Sequence, residues 1–144
     1  MTEKSLAKRA DTYLLDTSAL LAFIEDEPGA DRVEAILRSE EVLIPWTALL
    51  EVYYITRQRK GEVEAERRYA MLKVLNATIL WEVDEPTLLH AARLKSAHRL
   101  SFADALAAAM AAQNDAVLVH KDPEFDALAR ELRMEALPYK VTKA

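Results

Sequence analysis

The chain has 144 residues and a mass of 16.2 kDa; half of it is hydrophobic, 30% is charged, the net charge is −5 and there is no cysteine. That length suits one domain with a real core. The missing cysteines exclude disulfides, thiolate metal sites and thiol catalysis, and the acidic balance excludes nucleic-acid binding through bulk electrostatics alone.

In chain order, MTEKSLAKRA reads as a loose, mildly basic tail on a single domain covering residues 1–144. It lacks the apolar middle of a secretory signal. No later run approaches the roughly 18 apolar residues that span a bilayer, so a cytoplasmic protein with no membrane contact is expected. TYLL (12–15) predicts a buried strand, and the apolar spacing that follows predicts helices over 18–25 and 29–39, broken at Pro28-Gly29. VLI (42–44) is the next strand. The segments 46–60 and 62–76 have helical spacing, TILWEV (78–83) is a third strand, and 86–97 is again helical. SFAD (101–104) fits a capping box opening the alanine-rich helix 101–113, with Ser101 as N-cap. AVLV (116–119) is a fourth strand. DPEF opens a helix over 124–133, with Asp122 as cap and Pro123 at the first helical position, and EAL (135–137) is a weak fifth strand. Strands alternating with helices predict an α/β fold: a central parallel sheet of four to five strands with helices on both faces.

Four carboxylates stand out against this frame. Asp16 follows the first strand, Asp122 follows the fourth, Asp104 lies in the first turn of the alanine-rich helix, and Glu51 sits within ALLEVYYI. Taken one at a time, Asp16, Asp104 and Asp122 also read as helix caps or helix-dipole partners. Glu51 has no cation at its i±3 and i±4 positions, and a buried carboxylate without a partner is costly. Ligands collect beyond the carboxyl ends of parallel strands where strand order reverses, so neighbouring first and fourth strands would bring Asp16 and Asp122 together. Two such charges ~4 Å apart repel by about 4 kcal/mol at an effective dielectric of ~20. Convergence of all four therefore demands a compensating cation. An all-oxygen site without cysteine suits Mg²⁺ or Mn²⁺.

LLDTSALLAF, IPWTALLEVYYI, LSFADALAAAMA and LVHKDPEFDAL, in that order, resemble the four acidic motifs of PIN-domain ribonucleases, and are most similar to the VapC-type toxins of prokaryotic toxin–antitoxin pairs. The resemblance runs from residue 12 to about 138. It implies a PIN-like fold, Mg²⁺- or Mn²⁺-dependent hydrolysis of RNA phosphodiester bonds, a homodimer, and a protein antitoxin whose peptide covers the active-site groove. It also implies that Asp16, Glu51, Asp104 and Asp122 form the catalytic, metal-holding quartet, with Thr17 or Ser18 as a supporting hydroxyl. His120 departs from the pattern, which often places Thr or Ser there; it reads either as a substitute hydrogen-bond donor or as neutral filler. Asp126, one turn beyond Asp122, reads as a further ligand or as part of a solvated face.

Basic clusters for an RNA backbone are Arg57, Arg59 and Lys60, then Arg67 and Arg68, then RLKSAHR (93–99), although charge runs are commonly plain solvated faces. The helix 46–60 carries Trp46, Leu49, Leu50 and Tyr53 on one stripe, with Tyr54 nearby; such breadth indicates burial on two sides or a partner. Two other functions compete. A receiver-like phosphoacceptor module would use acids at strand ends and a lysine such as Lys121, but Asp16 lacks the paired acid that such a module places beside it. A catalytically silent PIN-like domain binding RNA or protein would not require the quartet. A phosphatase with an aspartate nucleophile lacks its second acid in DTS.

Overall fold

The computed structural model describes residues 11–140; the basic N-terminal tail expected from the sequence lies outside them. Five strands, β1 (Thr12–Leu15), β2 (Glu41–Pro45), β3 (Thr78–Leu80), β4 (Val117–His120) and β5 (Met134–Ala136), form one sheet in the order β3-β2-β1-β4-β5. Every pairing is parallel. Six α-helices connect them: α1 (Thr17–Ile24), α2 (Ala30–Ser39), α3 (Trp46–Lys60), α4 (Glu62–Lys73), α5 (Glu85–Ala97) and α6 (Phe102–Gln113). Among the described residues no helix is long and apolar enough to cross a membrane.

The two-residue period of a strand divides the core. Tyr13 and Leu15 of β1, with Val42 and Ile44 of β2, face a layer built from Leu20, Val33, Ile36, Val52 and Leu72 of α1 to α4. Leu14, Leu43 and Leu118 point the other way, onto Ala91 and Leu94 of α5 and the alanine face of α6. Strands apolar on both faces are what a covered parallel sheet requires. The run of Ala105, Ala107, Ala108, Ala109 and Ala111 is buried throughout, so α6 lies deep between sheet and α5.

Two expected elements differ. The strand expected over 78–83 stops at Leu80, because Leu80 pairs with Pro45 and α3 begins at the next residue, leaving nothing for Trp81 to bond. The helix expected over 124–133 is a 3₁₀ turn over Pro123–Leu128. Residues 129–133 then lead as turn and loop to β5, where Met134 pairs with Leu118. Phe125 and Leu128, both fully buried, pin this turn to the body.

Strand order reverses at β1: the chain runs outward through β2 and β3 on one side and through β4 and β5 on the other. Leu15 is paired with Val119, and the Asp16 amide donates to the Val119 carbonyl at 3.2 Å, which extends the ladder to the carboxyl end of both strands. That end is where the acids gather.

Candidate metal centre

Asp16 leaves β1 and caps α1. Its Oδ1 accepts from the Ala19 amide at 3.0 Å and from the Ser18 hydroxyl at 2.7 Å. Cap and candidate ligand are thus one residue: both bonds fall on Oδ1, which leaves Oδ2 to offer a cation. Asp16 is only 3% exposed. Burial pushes its carboxyl up to about 7, with smaller contributions from the charges of Asp122 and Glu51, against the two hydrogen bonds that favour the anion.

Asp104 stands in the first turn of α6, whose N-cap Ser101 accepts the Asp104 amide at 3.1 Å. Burial again raises this carboxyl above the usual range, followed by the charges of Asp16 and Asp122 and by a proton-sharing contact with Glu124. Asp122 caps the 3₁₀ turn by accepting from the Glu124 amide at 3.0 Å. Glu51 is half-buried on α3. Its partner, which the i±3 and i±4 positions do not supply, comes from another helix: the Thr17 hydroxyl donates to its Oε1 at 2.6 Å, across 34 residues of chain.

Asp16, Glu51, Asp104 and Asp122 line one cleft of about 260 Å³, together with Thr17 and Ser18. A fifth acid, Glu124, lines it too. Ligand atoms of Asp104, Asp122 and Glu124 lie within 4.8 Å of one another. Sequence reasoning missed Glu124 because a ten-residue helix leaves no ground for preferring it to Asp126. The tight 3₁₀ turn, and the bond from its own amide to Asp122, fold it back onto the cleft. Asp126 is instead engaged by the Tyr139 hydroxyl at 2.7 Å.

His120 is buried at the end of β4, its ring 4.9 Å from that of Phe125. It is no substitute donor at that position: its Nδ1 accepts the Asp122 amide at 3.2 Å. Burial lowers its pKa, so a neutral ring steadies the main chain under Asp122. Of the basic clusters, Arg68 is not a surface contact, being buried against Glu64, Glu25 and Thr56. Arg67 forks onto Glu64. Arg57, Arg59 and Lys60 are exposed and have no ion pair among the described residues. Lys121, which a receiver-like site would need free, is bound to the Pro28 carbonyl at 2.9 Å and lies 3.5 Å from Glu27.

The donor set fits a divalent ion. Five carboxylates share a cleft that, among the described residues, no lysine, arginine or histidine lines, and all the offered atoms are oxygen. Oxygen-only, carboxylate-rich sites suit Mg²⁺ and Mn²⁺.

No curated protein sequence matches the chain. In structure it is similar to a chain of VapBC2 from Rickettsia felis, bound to a DNA fragment from their promoter, with a TM-score of 0.72 at 16% identity over 88% of this chain and 99% of that one. It is similar to a chain of VapBC-1 from nontypeable Haemophilus influenzae (TM-score 0.69, 18% identity, 87% and 97% covered). It is also similar to Mycobacterium tuberculosis VapC20, a sarcin-ricin loop cleaving toxin (TM-score 0.64, 17% identity, 80% and 93% covered). These likenesses show the fold. The family model for the PIN domain matches residues 13–131, most of the chain and every acid of the cleft, and the chain therefore belongs to the PIN domain family.

Proposed function

We propose that this protein is a Mg²⁺- or Mn²⁺-dependent endoribonuclease, the toxin of a VapC-type toxin–antitoxin pair. The observation that carries the reading is the gathering of Asp16, Glu51, Asp104, Asp122 and Glu124 in a cleft with no cation of its own. The solved neighbours support it: several are VapBC pairs, and one is a toxin that cleaves the sarcin-ricin loop.

Asp16, Asp104, Asp122 and Glu124 would hold the ion. When bound, it supplies a Lewis acid that lowers the pKa of a water and neutralises the attacked phosphate. The protein's own work is positional. Ser18 and the Ala19 amide hold Asp16 on the ion side of β1. Thr17 fixes Glu51, which orients the attacking water and takes its proton as the water's oxygen bonds to phosphorus; the phosphorus–ribose oxygen bond breaks and the departing oxygen takes a proton from solvent. His120 holds the Asp122 main chain in place. Arg59, at the rim, meets the RNA backbone.

Two protein partners are assigned to two different surfaces. Leu50 and Trp81, 58% and 55% exposed, flank a cavity of about 550 Å³ with Trp46 and Tyr53 in its wall. We assign a second copy of the chain to it, and an antitoxin peptide to the groove over the acids; exposed apolar area of this extent marks protein interfaces.

The test is cleavage of RNA by purified protein with Mg²⁺ or Mn²⁺, against EDTA and an Asp16→Asn variant. Cleavage that requires both the ion and Asp16 is expected. Undiminished cleavage by the variant overturns the assignment.

A further inference from the structure

A second cavity, of about 370 Å³, adjoins the acidic cleft; Ser18, Leu21 and Asp122 belong to the walls of both. Its remaining wall, unlike the cleft, carries cations as well as acids. Arg59, Lys121 and Lys140 line it, beside the ring of Tyr139. Lys121 and Lys140 approach the same carboxylate, Glu27, at 3.5 and 3.2 Å. Of the two other acids of the wall, Glu25 lies 3.6 Å from buried Arg68 and Asp122 is shared with the acidic cleft. Two ammonium groups thus share one counter-charge, and Arg59 has none among the described residues. Cationic side chains thus line a cavity that shares a wall with the acidic cleft.

The cavity is also held in shape. The Lys121 side chain is only 4% exposed and its ammonium is tied to the Pro28 carbonyl, so it is a fixed charge in the floor rather than a solvated arm. Tyr139 is anchored by its hydroxyl to Asp126, which fixes the ring against the cavity. The Lys121 amide donates to the Ser18 hydroxyl, the same hydroxyl that donates to Asp16, so floor and cleft share a hydrogen-bonded strut.

We infer that this cavity binds the nucleotide next to the cleaved bond of a single-stranded RNA, its phosphate held by Arg59 and Lys140 over the Lys121 charge and its base against Tyr139. The inference rests on the nuclease reading and adds the side of the cleft along which the strand runs. A fixed positive recess holds a phosphate, and an anchored aromatic ring stacks a base of any identity. It follows that the grip is selective for a flexible strand over a duplex, whose bases are not free to stack.

The test is fluorescence anisotropy with a mixed-sequence single-stranded RNA 12-mer in low-salt EDTA buffer, using wild type, an Arg59→Glu/Lys140→Glu double variant, Tyr139→Ala, and an Arg38→Glu/Lys73→Glu control at exposed positions that line neither cavity. Expected are at least tenfold weaker binding by the double variant, a log Kd against log salt slope lower by about 0.7 per lost phosphate contact, and several-fold weaker binding by Tyr139→Ala. The control should stay within twofold of wild type. Wild-type affinity in the double variant, an equal loss in the control, or no binding by wild type overturns the inference. Cleavage of the same 12-mer in Mg²⁺ separates the two readings: binding that depends on Arg59 and Lys140 in a protein that never cuts supports the cavity and overturns the nuclease, whereas cutting by a double variant that still binds does the reverse.

Discussion

The Thr17 hydroxyl lies 2.6 Å from Oε1 of Glu51 and donates to it, joining the first turn of α1 to the middle of α3. Thr17 touches no other acid by a hydrogen bond among the described residues, so its effect on the site passes through Glu51. Replacing it by Val keeps the shape and removes the donor. Thr17→Val is expected to lower kcat for RNA cleavage about tenfold, with Mn²⁺ affinity within twofold, and to cost roughly 1–2 kcal/mol of stability. Thr17→Ser should restore kcat. A fall in Mn²⁺ affinity that matches the fall in kcat would show Thr17 acting on the ion instead.

The raised carboxyl of Asp16 makes the metal-free fold sensitive to pH. Its folded value of about 7 lies above the 3.8 of the unfolded chain, so between those values the folded state binds more protons. Stability is then full below pH ~4 as far as this group is concerned, falls as pH rises, and is lost once pH passes about 7. The span corresponds to at most about 4 kcal/mol. In EDTA, the urea midpoint should drop between pH 5 and pH 8. Added Mn²⁺ should raise it more at pH 8 than at pH 5. A midpoint that rises with pH in EDTA contradicts the burial of an ionisable Asp16.

Asp16→Asn should separate folding from ion binding. Asn caps a helix as well as Asp does, so α1 keeps its start, while the uncompensated charge disappears. The variant is expected to be more stable than wild type at pH 8 in EDTA, by roughly 1–3 kcal/mol, and to gain little on addition of Mn²⁺. Differential scanning fluorimetry with a Mn²⁺ titration reads both effects.

Phe125 is the fully buried anchor of the turn that bears Asp122 and Glu124. Phe125→Ala is expected to cost about 3–5 kcal/mol and to weaken Mn²⁺ binding as well, although the ring touches no ion. Phe125→Leu should recover most of both. Unchanged Mn²⁺ affinity in a folded Phe125→Ala protein would mean that the acids hold their places without the anchor.

Leu50 contributes nothing to the monomer core, being more than half exposed on a helix otherwise buried along one side. Leu50→Lys should leave the melting temperature of the isolated chain unmoved and shift sedimentation at micromolar concentration from dimer to monomer. A wild type that sediments as a monomer throughout removes the second copy from this face.

How much of this was readable in the residues depended on whether the feature was local. The sheet was legible because TYLL, VLI and AVLV are short apolar runs between segments of helical spacing, and that contrast of period survives without any tertiary information. The convergence of Asp16 and Asp122 was legible only on the condition that the first and fourth strands are neighbours, and the strand order meets that condition. Glu124 was not, because its approach to Asp104 depends on a 3₁₀ turn where the spacing predicts an α-helix. The partner of Glu51 was hidden for a similar reason: helix spacing ranks only neighbours three or four positions away, and Thr17 comes from a different helix. Arg68 looked like a surface cation because charge patterning does not reveal that Glu25 stands at the C-terminal cap of α1.

The Ser18 hydroxyl spends its proton on Asp16 and its lone pair on the Lys121 amide. A single small oxygen thereby couples how strongly the first carboxylate holds a proton to how firmly the neighbouring strand end is tethered. Loss of that oxygen would strand an amide and strip a donor in one stroke, so genetic drift at position 18 would alter ion uptake and strand grip in lockstep, never one without the other.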